Sequence, residues 1–144
     1  MQSAPWLYLA TAQAFDDEMA ERIALHQGRR GGDWRTVEAP HDLSEALNAT
    51  ADGTPVLVDC LTLWLSNRML AEADVEGECA ELAEVLSRPR GQWVVVSNEV
   101  GLGIVPDNAL ARRFRDEAGR LNQRVAAAAD AVFFMVAGLP MKVK

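Results

Sequence analysis

The chain has 144 residues, which suits one domain (1–144) built around one core. Hydrophobic residues make up 49% of it, too many for a disordered chain. A net charge of −7 argues against a nucleic-acid partner, because only local arginines would offset repulsion from the phosphates.

Lys142 and Lys144 are the only lysines, so a catalytic lysine elsewhere is excluded. Cys60 and Cys79 have neither disulfide-framework nor zinc spacing, which fits a reduced compartment. No apolar run reaches the length of about 18 residues that a membrane span needs. The N-terminus carries no basic stretch of the secretory kind. The expected location is the cytoplasm.

The first apolar run, Leu7 to Ala10, ends at Thr11 as a buried strand would. Asp16 and Asp17 then offer an N-cap, and Asp16, Asp17 and Glu18 suit the positive end of a helix dipole. Met19, Ile23 and His26 recur at helical spacing, so a helix is predicted to run to Gly28. A basic turn follows directly: Arg29 and Arg30, then Gly31 and Gly32.

A histidine that ends a helix beside two arginines has a chemical reading. Arg22, one turn earlier, can sit beside His26 and hold the ring neutral. A neutral imidazole is a nucleophile, and adjacent arginines clamp phosphate. The helix dipole acts in the opposite sense, favouring the charged ring. The plainer alternative is a half-buried histidine packed beside Ile23, with a solvated turn after it.

Asp33 to Val37 reads as a short extended piece, and His41 to Asn48 as a helix with Leu43 and Leu47 one turn apart. Pro55 to Cys60 (PVLVDC) has the continuous apolar pattern of a central parallel strand. Leu61 to Ala71 and Val75 to Leu86 read as helices, and Gln92 to Val96 as another strand. Pro106 and Asp107 open the clearest helix, whose stripe is Leu110, Phe114, Ala118, Leu121 and Val125. Ala131 to Val136 reads as a further strand, and the tail MKVK as a short edge strand.

Strands alternating with helices predict an α/β fold: a mostly parallel sheet with helices on both faces. Ligands of such sheets bind at the carboxyl ends of the strands. Those ends carry Thr11, Asp59, Ser97-Asn98-Glu99 and Gly138. Asp59, ending a buried strand, matches the magnesium-holding acid of phosphate-loop nucleotidases; the alternative is a helix N-cap. Glu99 begins EVGLGIVP, which reads either as a mobile loop over a site or as an ordinary strand-to-helix turn. Trp6, Trp34, Trp64 and Trp93 look scattered, and fit core or interface better than stacking platforms.

Several segments together carry a resemblance. They are LYLATAQAFDDEMAERI with its following histidine, WRTVE, VLVDCLTLWLSN, VVVSNEVGLGIVP, ARRFRDEAGRLNQRVAAAAD and the final KVK. Over Leu7 to Lys144 the chain resembles the bifunctional adenosylcobinamide kinase / adenosylcobinamide-phosphate guanylyltransferase family of cobalamin biosynthesis. The resemblance implies a RecA-like phosphate-loop fold acting on GTP and ATP with Mg²⁺. It implies phosphorylation of adenosylcobinamide, then attack of a histidine on the α-phosphate of GTP. The resulting histidyl-GMP passes its nucleotide to adenosylcobinamide phosphate.

By the same resemblance the histidine is His26. The nucleotide contacts are Ala10, Thr11 and Ala12, the turn Gln27, Gly28, Arg29 and Arg30, then Glu38 and Asp59, with Asp59 also suited to the metal. The family is trimeric, so a homo-oligomer is expected.

One departure stands out. The family opens with a strand and a G-x-x-x-x-G-K-[ST] loop, and no such pattern occurs here. The expectation is therefore a core lacking that first strand and its phosphate loop, truncated at the N-terminus, with weak nucleotide binding and poor stability. A non-catalytic nucleotide-binding remnant is one alternative. A phospho-accepting receiver domain, built on Asp16, Asp17, Asp59 and Ser97, is another.

Overall fold

The structure is a computed structural model and describes residues 5–144. Four strands form its main sheet: β1 (Trp6–Ala10), β2 (Trp34–Glu38), β3 (Val56–Asp59) and β4 (Trp93–Val96). They are all parallel, in the order β2-β1-β3-β4. The two inner strands are the most apolar, as strands covered on both faces should be. Leu7, Tyr8 and Leu9 are all buried in β1, and Val56 and Val58 in β3. Where β3 and β4 begin, Gly91 lies so close to the backbone of Thr54 that a Cβ would sit 2.6 Å from the Thr54 carbonyl oxygen. Only glycine permits that approach.

Five helices connect and follow the strands: α1 (Asp17–Gly28), α2 (Leu43–Asn48), α3 (Leu61–Leu70), α4 (Val75–Leu86) and α5 (Ala109–Ala128). Helices α2 to α5 pack on one another and on Leu7, Leu9, Val56 and Val58, forming one core on one face of the sheet. Leu43, Leu47, Leu61, Leu65, Leu82 and Leu121 are its largest fully buried side chains from the helices. At about 2 kcal/mol each, such leucines dominate the energy of the fold.

Helices flank both faces of the sheet as expected, but unequally: α2 to α5 cover one face and α1 alone reaches the other. Helix α1 begins at the expected place, where Asp16 accepts a hydrogen bond from the Met19 N–H at 2.7 Å, but it buries no residue. Met19 and Ile23 are only half-buried, because charged Glu18, Glu21 and Arg22 interrupt the face around them. The second face of the sheet is therefore covered only where the end of α1 meets it. On β4, Val94 and Val96 remain 42% and 39% exposed.

Two further boundaries differ from the sequence expectation. Helix α2 starts at Leu43, leaving His41 in the preceding loop with its carbonyl oxygen bonded by the Trp64 Nε1–H at 2.9 Å. Helix α5 is capped by Asn108, whose side chain accepts from the Ala111 N–H, and not by Pro106 or Asp107. Ala118 and Leu121 of its stripe are buried and Phe114 and Val125 pack on the core, but Leu110, in the first turn, is 55% exposed.

The last apolar run does not extend the main sheet. It forms β5 (Phe133–Val136), which pairs antiparallel with β6 (Leu139–Lys142) in a separate hairpin. Ala137 (φ 51°) and Gly138 (φ 74°) make its two-residue turn, with both φ values positive as a primed turn requires. Gly138 is thus a turn residue and not part of the ligand edge.

Candidate active site

The parallel register brings the carboxyl ends of the strands into one row. Ala10 pairs with Glu38 on one side and with Asp59 on the other, and Asp59 pairs with Val96. Two residues back, on the same face, Tyr8 pairs with Thr36 and Leu57. Period-two alternation therefore places Tyr8, Ala10, Thr36, Glu38 and Asp59 together, on the face opposite the helical core.

Thr11 is fully buried and fastens β1 to the end of β3. Its Oγ1 accepts from the Cys60 N–H at 2.8 Å and donates to the Cys60 carbonyl at 2.7 Å. The Asp59–Cys60 peptide bond is cis. Asn67 of α3 donates from Nδ2 to the carbonyls of Thr11 (2.8 Å) and Pro40 (3.0 Å), holding the starts of two loops at once. Ala12 is partly buried just beyond.

The chain then returns to this edge through α1. His26 Nε2 lies 3.4 Å from Asp59 Oδ2, with the imidazole 58% exposed. The Tyr8 hydroxyl donates a short hydrogen bond to the same carboxylate oxygen. Burial first, and then this hydrogen bond and the Asp59 charge, push the Tyr8 phenol well above its ordinary range, so it remains a donor. Arg22 does not lie beside His26 as predicted. It turns back one helical turn to Glu18 at 2.6 Å, and the group facing His26 is a carboxylate.

Arg30 completes the cluster. Its guanidinium carbon sits 3.6 Å from the centre of the Tyr8 ring, and Nη2 donates to Thr36 Oγ1 at 3.3 Å. Its Nε and Nη1 are buried without a partner among the described residues. Two buried guanidinium donors without partners are costly unless an anion satisfies them. Gln27 and Gly28 end α1 and Arg29 caps it, all three exposed. Glu38 is exposed at the end of β2.

Sequence reasoning missed Tyr8 and its aromatic neighbours. Trp34 meets Tyr8 edge-on with centroids 6.1 Å apart, and Trp6 lies 5.6 Å from Trp34, so these two tryptophans are grouped and not scattered. The usable signal was parity: Tyr8 stands two residues before Ala10 in one strand. Trp64 is buried in the core, as expected.

Other strand-end candidates are spent on structure. Ser97 donates to Asn122 Oδ1 at 2.6 Å, and Glu99 accepts from the Gly101 N–H at 2.9 Å, folding its own loop. Asp16 is the α1 cap and Asp17 lies in that helix, so the acidic pair of a receiver domain is not assembled. Among the described residues no three His, Cys, Asp or Glu side chains come together as a metal site. Asp59 is a single carboxylate whose Oδ2 already meets Tyr8 and His26, so these residues do not by themselves form a cation site. A cavity of about 330 Å³ between α4 and α5, lined by Cys79, Glu117 and Arg124 among others, lies away from this edge. None of the helices among the described residues is long and apolar enough to cross a membrane.

Residues 1–143 match the CobU family, cobinamide kinase / cobinamide phosphate guanyltransferase. The bifunctional adenosylcobalamin biosynthesis protein CobP of Pseudomonas aeruginosa is 49% identical over 140 residues, covering 95% of this chain and 81% of that protein. The CobU proteins of Salmonella typhimurium and Escherichia coli are 42% and 39% identical, over 96% and 99% of this chain and 85% and 87% of their own lengths. With its residues matched almost end to end, the chain belongs to the cobinamide kinase / cobinamide phosphate guanyltransferase family.

Proposed function

We propose that the chain carries out the two steps named for its family, and that His26 is the nucleophile of the second. In the first step a nucleoside triphosphate, ATP or GTP, phosphorylates the aminopropanol hydroxyl of adenosylcobinamide. In the second, a ring nitrogen of His26 attacks the α-phosphorus of GTP. The Pα–O bond to the β-phosphate breaks, and pyrophosphate leaves with the electron pair. A phosphate oxygen of adenosylcobinamide phosphate then attacks the same phosphorus. The P–N bond breaks, imidazole is restored and adenosylcobinamide-GDP forms. Splitting one difficult transfer in two is the usual gain of covalent catalysis.

The observation that carries this reading is the grouping of His26, Asp59 and Arg30 at one strand edge. Asp59 orients the ring and stabilises positive charge on it during attack. The unpaired edge of Arg30 meets the charge of the phosphates, and positioning with charge neutralisation is most of what phosphoryl-type transfer needs. Ala10, Ala12, Gln27, Gly28, Arg29 and Glu38 surround the same edge as the nucleotide's remaining contacts, and Thr11, expected from the family pattern as a contact, instead holds that edge together from within the core. Mg²⁺ arrives on the nucleotide's phosphates, where one or two carboxylates ordinarily suffice to hold it. The kinase step rests on family membership alone. A homotrimer, working in the cytoplasm without a nucleic-acid partner, is the assembly that accompanies this reading.

The test is incubation with GTP labelled at the α-phosphate and Mg²⁺, followed by acid and base treatment. An acid-labile, base-stable label that is absent from His26→Ala supports the histidyl-GMP intermediate. Label that persists in His26→Ala, or no label on a folded chain with saturating GTP, overturns it.

A further inference from the structure

We infer that Gln13 is a positioning residue for His26, clamped by the second histidine of the chain, His41; the inference rests on His26 being the nucleophile. Helix α1 buries no side chain, so packing does not hold it in place. It is held at its ends. At the far end, His26 meets Asp59, and Arg30 lies on Tyr8. At the near end, the chain leaves β1 through Thr11, Ala12 and Gln13 before Asp16 caps the helix. Thr11 is locked into the core, and Gln13 is the next side chain to be gripped.

The grip comes from a chain of polar contacts running up from α4. Glu78 holds Arg68 of α3 by two hydrogen bonds, Nε to Oε2 at 2.7 Å and Nη2 to Oε1 at 2.8 Å. Nη1 of Arg68 lies 3.0 Å from His41 Nδ1. Beside His41 stands Gln13, whose side-chain nitrogen Nε2 lies 3.1 Å from His41 Nε2. A guanidinium only donates, so His41 Nδ1 must be the acceptor. Its Nε2 then carries the proton, and the Gln13 amide, whose oxygen and nitrogen are interchangeable in shape, must be flipped by half a turn so that Oε1 and not Nε2 faces it. Each group in the series fixes the role of the next. Three of the four sit on or beside the packed helices, while Gln13 alone belongs to the loop that launches α1.

A loop fixed at Gln13 fixes the start of α1, and a rigid helix carries that placement on to His26, thirteen residues after Gln13. Small displacements of a reacting group have large effects on rate. Gln13 touches no reacting atom in this reading; it acts through the helix.

The experiment compares hydrogen exchange of the α1 amides in the unaltered chain, Gln13→Met and Gln13→Glu, together with the single-turnover rate of labelling by α-labelled GTP. Met matches the length of Gln but offers His41 no oxygen; a carboxylate can still accept from His41 Nε2–H. In Gln13→Met, exchange across residues 17–28 is expected to rise about tenfold and labelling to fall about tenfold, with α3 and α4 unchanged. In Gln13→Glu both should remain within about twofold of the unaltered chain. Unchanged α1 exchange in Gln13→Met overturns the proposal, and so does Gln13→Glu behaving like Gln13→Met. If the unaltered chain takes no label, the histidyl reading fails, while the exchange data still decide whether Gln13 holds α1.

Discussion

His26 and Asp59 are 33 positions apart in the sequence and face each other at 3.4 Å, Nε2 to Oδ2, at the carboxyl edge of the sheet. A carboxylate on one ring nitrogen leaves the other free to react and offsets the positive charge that attack creates. Asp59→Asn keeps the shape and removes the charge. The rate of label transfer from α-labelled GTP should fall about 10- to 100-fold while the protein remains folded. A rate within twofold of the unaltered chain would show that Asp59 serves another purpose.

Arg30 has two guanidinium donors, Nε and Nη1, that find no protein partner among the described residues, and its plane rests on Tyr8. Lysine can keep the charge but not the fork or the stacking. In Arg30→Lys the GTP concentration for half-maximal labelling should rise about tenfold, at little cost in thermal stability. Equal half-saturation would remove Arg30 from the phosphate site.

Tyr8 is the single tyrosine of the chain, so its ionisation can be followed alone. Burial and the bond to Asp59 hold the phenol protonated beyond its ordinary value of 10.0. Absorbance at the tyrosinate band should therefore show no transition through that pH in the folded protein. Asp59→Asn, which removes the hydrogen bond and the charge but not the burial, should lower the transition without returning it fully. Because the folded value is raised, the stabilisation is complete below the unfolded value and is lost as pH climbs above it.

Asn67 gives both of its contacts from one buried nitrogen, to Thr11 and Pro40. Truncation to alanine leaves two carbonyls without that donor inside the protein. Asn67→Ala should cost about 2–4 kcal/mol, read as a shift of the urea midpoint at constant slope. A shift below about 0.5 kcal/mol would mean that water replaces the donor at once.

Cys79 lies in the core side of α4, and burial, with a contribution from the nearby Glu117 charge, raises its thiol from 9.0 to about 11. It should resist alkylation at pH 8 until the chain is unfolded. The sign of the stability effect follows: the unfolded chain loses its proton first, so stability falls between about pH 9 and 11, by no more than about 3 kcal/mol. Urea midpoints at pH 8 and pH 10.5 for Cys79→Ser against the unaltered chain isolate this contribution.

What the sequence determined by itself was local. Apolar runs marked β1, β3 and β4, helical spacing marked α4 and the stripe of α5, and Asp16 and Gly28 bounded α1, because each of these signals is written within one element's length. His26, Asp59 and the arginine turn were also legible as candidates, from the helix end, the strand end and the basic turn they occupy and from the family pattern of motifs around them. Tertiary structure decided the rest. It turned Arg22 away to Glu18 and set Asp59 against His26 in its place, because a helix side chain pairs with whatever charge lies within reach. It drew Tyr8, Trp34 and Thr36 into the site, since strand register, not sequence order, chooses neighbours across a sheet. It detached the last two strands into a hairpin, and it linked Glu78, Arg68, His41 and Gln13, which come from two helices and two loops of the chain. Periodicity reports which way a side chain points; only the packed chain reports what it meets there.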